Sequence, residues 1–271
     1  MAEYFITTAD TPLFNKERLD RIFGKDRLDV DAKGHMRALE MVAFKGRCFP
    51  IERRCGEWIV QVKNPAYPAR SRLFLDRRFG KIVPKPSVPK KRGNLCRADV
   101  LTSLERAVST RYVWGGNVRR GIKELLSYYP PPKNLSFREK EQWILRGVDC
   151  SGLFYEAMEG EVPRNSRELL FYGNGIDISG LKIGEIVRRL HPLDLIVYRG
   201  HVVVVLGGQR AIESCEERGG VVISPLRERI ELLYEKGKKA GSDPARAFHF
   251  EEEFVARRIG PLIGLSGFQK F

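Results

Sequence analysis

Residues 147–159 read Gly-Val-Asp-Cys-Ser-Gly-Leu-Phe-Tyr-Glu-Ala-Met-Glu. The run after Cys150 suits a helix over 150–159, and Asp149 is an N-cap candidate just before it. A cysteine in the first turn of a helix lies beside unpaired backbone N–H groups and the positive end of the helix dipole. Both favour the thiolate, the reactive form of the side chain. The same N–H groups can hold the oxyanion of a tetrahedral intermediate. A free cysteine is more often a small buried hydrophobe, and that plainer reading suits Cys48, Cys55, Cys96 and Cys215.

Working outward, the next candidate is His201. It follows Gly200 and opens the run Val202-Val203-Val204-Val205, which places an imidazole at the mouth of a buried strand. Past the turn at Gly207-Gly208, Arg210 to Ser214 reads as the next strand. A three-residue loop centred on Gly207 predicts His201 and Glu213 directly opposite each other, side chains on one face. Glu213 can then accept the imidazole N–H and fix the ring. A cross-strand polar pair at a hairpin end is the plainer alternative. A thiol, an imidazole and a carboxylate form the minimal set for acyl transfer from an amide.

The wider chain fits such an enzyme. Its 271 residues suffice for two domains. Residues 38–80 read as short strands, with Phe49 and Ile51 in one, Trp58 to Lys63 alternating in another, and Leu73-Phe74-Leu75 in a third. The proline- and lysine-rich stretch around 83–93 predicts a linker, giving a β module over 1–85, a linker over 86–96 and a second domain over 97–271. There, Val100, Leu104 and Val108 predict an amphipathic helix over 97–109. Short strands are expected over 194–198, 201–206, 210–214 and 220–223, and a largely helical tail from 226, broken at Asp243-Pro244.

The formal net charge of +14 favours acidic partners. The basic residues are scattered rather than interleaved with aromatics, so no nucleic-acid partner is expected. The start of the chain lacks a signal-peptide pattern and no stretch is long and apolar enough for a membrane span. Together with five cysteines that make no disulfide framework, this predicts a cytoplasmic protein. The Cys and His spacings make no zinc site. No metal or cofactor is expected.

Six motifs, in order, resemble the NlpC-type, papain-like cysteine peptidases of bacterial cell walls. They are Tyr112-Val113-Trp114-Gly115-Gly116, Gly147 to Gly152, Pro163-Arg164-Asn165-Ser166, Pro192 to Ile196, Gly200-His201-Val202 and Ile212-Glu213-Ser214. The resemblance spans about residues 97–225. It implies an α+β fold with a helix-borne Cys150 as nucleophile over a small antiparallel sheet, His201 as base and Glu213 as the third polar residue, a place where the family often has histidine. It implies Tyr112, Trp114, Asp149, Ser151, Asn165 and Ser166 as substrate-contacting residues, with core packing as the plainer reading of Tyr112 and Trp114. The implied substrates are peptidoglycan stem peptides, cut between D-isoglutamate and the diamino acid. An amidase that frees the stem from the sugar, and a non-catalytic binder of wall fragments, are the alternatives. Residues 1–85 look like the SH3-like barrel that often precedes the catalytic domain. Two features depart from the pattern. Asn165 stands where members that recycle free stem peptides carry an aspartate that pairs with the substrate amine. The segment 117–147 is also longer than usual, and it is expected near the cleft.

Overall fold

The computed structural model describes residues 2–24, 26–67, 71–86, 95–249 and 252–260. The chain divides into two compact units: Met1–Lys91 with Arg111–Asp149, and Arg92–Thr110 with Cys150–Phe271. Most of the linker expected over 86–96 lies outside the described residues.

In chain order the strands are β1 (Tyr4–Thr7), β2 (Thr11–Phe14), β3 (Leu39–Ala43), β4 (Cys48–Arg54), β5 (Ile59–Val62), β6 (Leu73–Asp76), β7 (Gly80–Val83), β8 (Asn117–Val118), β9 (Gly147–Val148), β10 (Asn174–Ile176), β11 (Leu195–Tyr198), β12 (His201–Leu206), β13 (Arg210–Cys215), β14 (Gly220–Pro225), β15 (Lys239–Gly241) and β16 (Glu253–Arg258). The helices are α1 (Leu19–Ile22), α2 (Arg97–Glu105), α3 (Leu125–Tyr128), α4 (Phe137–Trp143), α5 (Cys150–Ala157), α6 (Ser166–Leu169), α7 (Ile183–Arg189), α8 (Leu226–Glu235) and α9 (Pro244–His249).

In the first unit, β1 to β7 form one sheet in the order β3-β2-β6-β5-β4-β1-β7. The strands expected at Phe49 and Ile51, over Trp58 to Lys63 and at Leu73 to Leu75 are there, as β4, β5 and β6. β1, β2 and β7 add three that the sequence did not mark. The path has two ends, β3 and β7, and the described residues show no closed barrel. Asn117 covers the free edge of β3. Its amide accepts from the Val42 N–H at 2.8 Å and donates to the Val42 carbonyl at 2.9 Å, as a neighbouring strand would. The segment 117–147 packs onto this sheet. Tyr129 donates its hydroxyl to buried Asp76 at 2.7 Å, and the Gln142 amide donates to the Gly34 carbonyl at 2.9 Å. Trp143 and Tyr129 complete an aromatic cluster with Phe23. Gly115 has a φ of +69°, and a β-carbon there would lie 2.4 Å from the Leu39 carbonyl oxygen. Both facts require glycine at this turn.

The second unit carries an antiparallel sheet, β10-β16-β11-β12-β13-β14, with β15 joined parallel to β16. One face buries Ile196, Val203, Val205, Ala211, Phe254 and Ala256 against Ile186 and Val187 of α7 and Leu226, Ile230 and Leu233 of α8. Helix α5 packs against β12, β13 and α2. Its residues Cys150 to Tyr155 are all buried, as suits a helix enclosed on every side. α2 ends at Glu105, short of the expected 109, and Val108 is exposed while Ala107 takes its place in the core. The tail departs more from expectation. Beyond α8 it holds one further short helix, α9, which opens at the expected break at Pro244, but it also supplies β15 and β16, the latter an interior strand between β10 and β11.

Candidate functional site

All three polar groups of the proposed constellation belong to the second unit. Cys150 opens α5, His201 opens β12 and Glu213 lies within β13. The β12–β13 register pairs Val204 with Ile212, Val205 with Ala211 and Leu206 with Arg210. Extending it sets Glu213 opposite Val203, not opposite His201. The expected register is therefore off by two residues, because the loop is Gly207-Gly208-Gln209 and centres on Gly208. A shift of two keeps the side chains on the same face. The pair is diagonal, and long side chains bridge that distance: His201 Nε2 stands 2.6 Å from Glu213 Oε2. With Nε2 engaged there, Nδ1 is the nitrogen left for a thiol. Cys150 is 7% exposed, and its Sγ lies 3.8 Å from the Gly200 carbonyl, in the turn that leads into His201.

Charges and hydrogen bonds around the His201 ring favour its protonated form. Burial opposes a charge on His201, but the Cys150 thiolate, a hydrogen bond to it and the Glu213 carboxylate outweigh that and raise the imidazole well above its ordinary value. A proton held this way stabilises the fold below the ring's ordinary titration and is lost as pH rises through the raised value.

A fourth and fifth residue join the site. Arg229 of α8 donates from Nε to Glu213 Oε1 at 2.5 Å and from Nη2 to Glu213 Oε2 at 2.9 Å. Nη2 also donates to the Tyr198 hydroxyl at 2.9 Å. Tyr198 pairs directly with His201 across β11 and β12, and their ring centroids are 5.3 Å apart. Sequence reading missed both. The signal for Arg229 was present: the α8 stripe of Leu226, Ile230 and Leu233 spaces its core positions so that 229 falls among them, and a charge at such a position asks for a partner.

Burial pushes the Glu213 carboxyl up, but hydrogen bonds from His201 and Arg229 outweigh it and bring the group down to about 2. A lowered carboxyl stabilises the fold above its unfolded value, and that contribution is lost as pH falls toward 2. Lowering the pH from 6 to 3 should therefore cost the wild type about 2 kcal/mol more folding stability than Glu213→Gln. Urea denaturation at the two pH values measures this, and equal losses would contradict the lowered carboxyl.

The residues expected to contact substrate divide between the units. Ser151 is buried, and its hydroxyl accepts from Arg164 at 2.9 Å. Asn165 is the half-buried N-cap of α6, with no side-chain capping bond, and Ser166 is the first residue of that helix. Tyr112, Trp114 and Asp149 belong to the first unit. Tyr112 bridges to Val148 and meets the His35 ring edge-on at 5.6 Å. Trp114 carries the Arg37 guanidinium 4.0 Å above its ring. Asp149 is half-buried, and its N–H donates to the Gly116 carbonyl. Among the described residues no group of three or more His, Cys, Asp or Glu side chains is placed to hold a metal ion, and no helix is long and apolar enough to cross a membrane.

No curated protein matches the chain. Among solved structures, it resembles an NlpC/P60 family protein from Bacillus cereus at 15% identity, over 96% of this chain and 64% of that one, with a TM-score of 0.39. It also resembles the peptidoglycan hydrolase RipB from Mycobacterium tuberculosis at 22% identity, over 62% of this chain and 65% of that one, with a TM-score of 0.36. RipD from the same organism, a non-catalytic NlpC/p60 domain protein adapted to peptidoglycan binding, matches at 20% identity over 48% of this chain and 86% of that one, with a TM-score of 0.32. The chain thus spans just under two thirds of the first two relatives. The NlpC/P60 family model matches residues 109–232, a range that includes Cys150, His201, Glu213 and Arg229, so this part of the chain is an NlpC/P60 family domain.

Proposed function

We propose that the protein is a cysteine peptidase that hydrolyses peptidoglycan stem peptides, between D-isoglutamate and the diamino acid. The observation that carries the reading is the placement of Cys150 at the start of α5 beside an imidazole whose far nitrogen is engaged by a buried carboxylate. In this reading residues 97–271 are the catalytic region and residues 1–85 an SH3-like accessory module.

The chemistry follows from the arrangement. The Cys150 thiolate attacks the scissile carbonyl carbon, and the carbonyl π pair moves onto oxygen. The positive, N-terminal end of α5 is suited to stabilise that oxyanion. The His201 imidazolium then gives its Nδ1 proton to the leaving amine as the C–N bond breaks, which leaves a thioester on Cys150. The neutral imidazole takes a proton from water, whose oxygen attacks the thioester carbon. Collapse releases the carboxylic acid and restores the thiolate–imidazolium pair. Glu213 touches no reacting atom. It orients the ring and stabilises its positive form. Stem peptides carry several carboxylates, and a net charge of +14 draws such substrates in.

Digestion of defined muropeptides, with and without the sugar and against a Cys150→Ala control, tests the proposal. Release of an L-Ala–D-isoglutamate dipeptide supports it. Release of the intact stem replaces it with an amidase, and binding without turnover replaces it with a wall-fragment binder.

A further inference from the structure

We propose that Arg229, braced by Tyr198, is the positioning residue that fixes the Glu213 carboxylate, and through it the imidazole of His201. The inference rests on the cysteine-hydrolase reading of the site and deepens it.

Three observations carry it. The first is geometric. Arg229 grips both oxygens of Glu213, one from Nε and one from Nη2. Two parallel bonds from a planar guanidinium fix the carboxylate plane as well as its position. The same Nη2 reaches the Tyr198 hydroxyl, and the Tyr198 ring lies beside the imidazole at an interplanar angle of 33°. The circuit closes: His201 is held at its edge by Glu213 and on its face by Tyr198, and Arg229 ties the two holders together.

The second is the charge balance. In the hydrolase reading Cys150 acts as thiolate and His201 as imidazolium, and with the Glu213 carboxylate and the Arg229 guanidinium the charges alternate in sign and sum to zero. Glu213 meets His201 from β12 and Arg229 from α8; Arg229 in turn meets Tyr198 from β11, Lys238 Nζ lies 4.9 Å from the Tyr198 ring centroid, α5 brings Cys150, and β14 sets apolar Val222 opposite Glu213. A buried carboxylate without a cation is expensive. Glu213 can support an imidazolium only while it is itself ionised.

The third is that stability alone does not account for the arginine. Its side chain is 5% exposed. Its Nη1 is buried with no hydrogen-bond partner among the described residues. A buried ion pair with an unsatisfied donor is commonly no more stable than a well-packed apolar pair of similar volume. A device kept at such a cost is expected where a catalytic group must be oriented.

The test uses the full chain with Arg229→Met, Arg229→Lys, Glu213→Gln and the double variant Glu213→Gln/Arg229→Met. The rate of Cys150 alkylation by iodoacetamide is followed against pH, alongside thermal melting. In Arg229→Met the uncompensated carboxyl takes up a proton more readily, so the acid limb of the alkylation profile should rise by about one pH unit or more. Arg229→Lys should restore part of the shift. On the Glu213→Gln background, Arg229→Met should cause no further rise, and the double variant should melt at or above Arg229→Met alone. An unshifted acid limb in Arg229→Met overturns the inference. So does a double variant that melts below Arg229→Met, because that marks a purely structural arginine. If Arg229→Met fails to fold, the comparison of the double variant with Glu213→Gln decides by the same two criteria. Alkylation reads the thiol without turnover. Absent peptidase activity with a shifted limb would therefore sink the hydrolase reading and spare this one, whereas full wild-type turnover with an unshifted limb would do the reverse.

Discussion

Cys150→Ala is expected to lower stem-peptide hydrolysis by at least about 10⁴-fold while the protein stays folded. The size of the effect follows from the chemistry. The sulfur forms the covalent bond, and an alanine methyl cannot take its place. Removing the nucleophile of such a set costs nearly as much as removing the whole set, because its members act as a unit. The structural consequence is small. The thiol sits at the start of α5, and the packing of that helix rests on Leu153, Phe154 and Ala157. Far-UV circular dichroism and the melting temperature check the fold, and steady-state kinetics check the rate. A variant that retained full activity would end the enzyme reading.

His201→Ala comes next, with an expected loss of about 10³-fold or more, against a smaller loss of about 10- to 100-fold for Glu213→Gln. The imidazole moves protons in both half-reactions, whereas the carboxylate acts only through the ring. Glutamine keeps an oxygen that can accept from Arg229 or His201 but gives up the charge that favours the imidazolium. The ratio of kcat/KM between the two variants measures the division of labour. A Glu213→Gln loss equal to that of His201→Ala would contradict it.

The site was legible in the sequence because its members are marked locally. A cysteine before a helical run, a histidine between a glycine and four valines, and a glutamate in the following strand each carry a pattern within a few residues. The hairpin register was not legible. Gly207 and Gly208 both suit the turn, and only packing decides which one lies at its centre. Same-face placement survived because the slip was an even number of residues. Arg229 escaped notice for a different reason. Helix periodicity puts it on the core stripe of α8, but its partner Glu213 lies 16 positions away in another element, so nothing local names the group it serves.

Strand β16 shows the limit of local reading in the fold. Its Glu-Phe-Val-Ala-Arg-Arg sequence has one short apolar run and two arginines, which gives no strand signature on its own. The structure gives those arginines separate partners. Arg257 donates to the carbonyls of Phe171, Tyr172 and Gly173, and Arg258 pairs with buried Asp194 at 2.7 Å. Both groups of partners are distant in sequence. In β2, Pro12 weakens a pattern that Leu13 and Phe14 would otherwise make clear. The open path of the N-terminal sheet, with ends at β3 and β7, likewise depends on long-range pairing that no single strand announces.

The central claim is that a mostly buried thiol is the most reactive one in the chain because His201 ionises it. Competitive alkylation of the five cysteines at neutral pH, read by peptide mass spectrometry, tests this directly. Accessibility alone would place exposed Cys96 first, the half-buried Cys48, Cys55 and Cys215 next, and buried Cys150 last. The account expects the reverse at the top of that order, with Cys150 modified fastest and its lead lost in His201→Ala. Labelling that follows exposure, with Cys150 slowest, would contradict it.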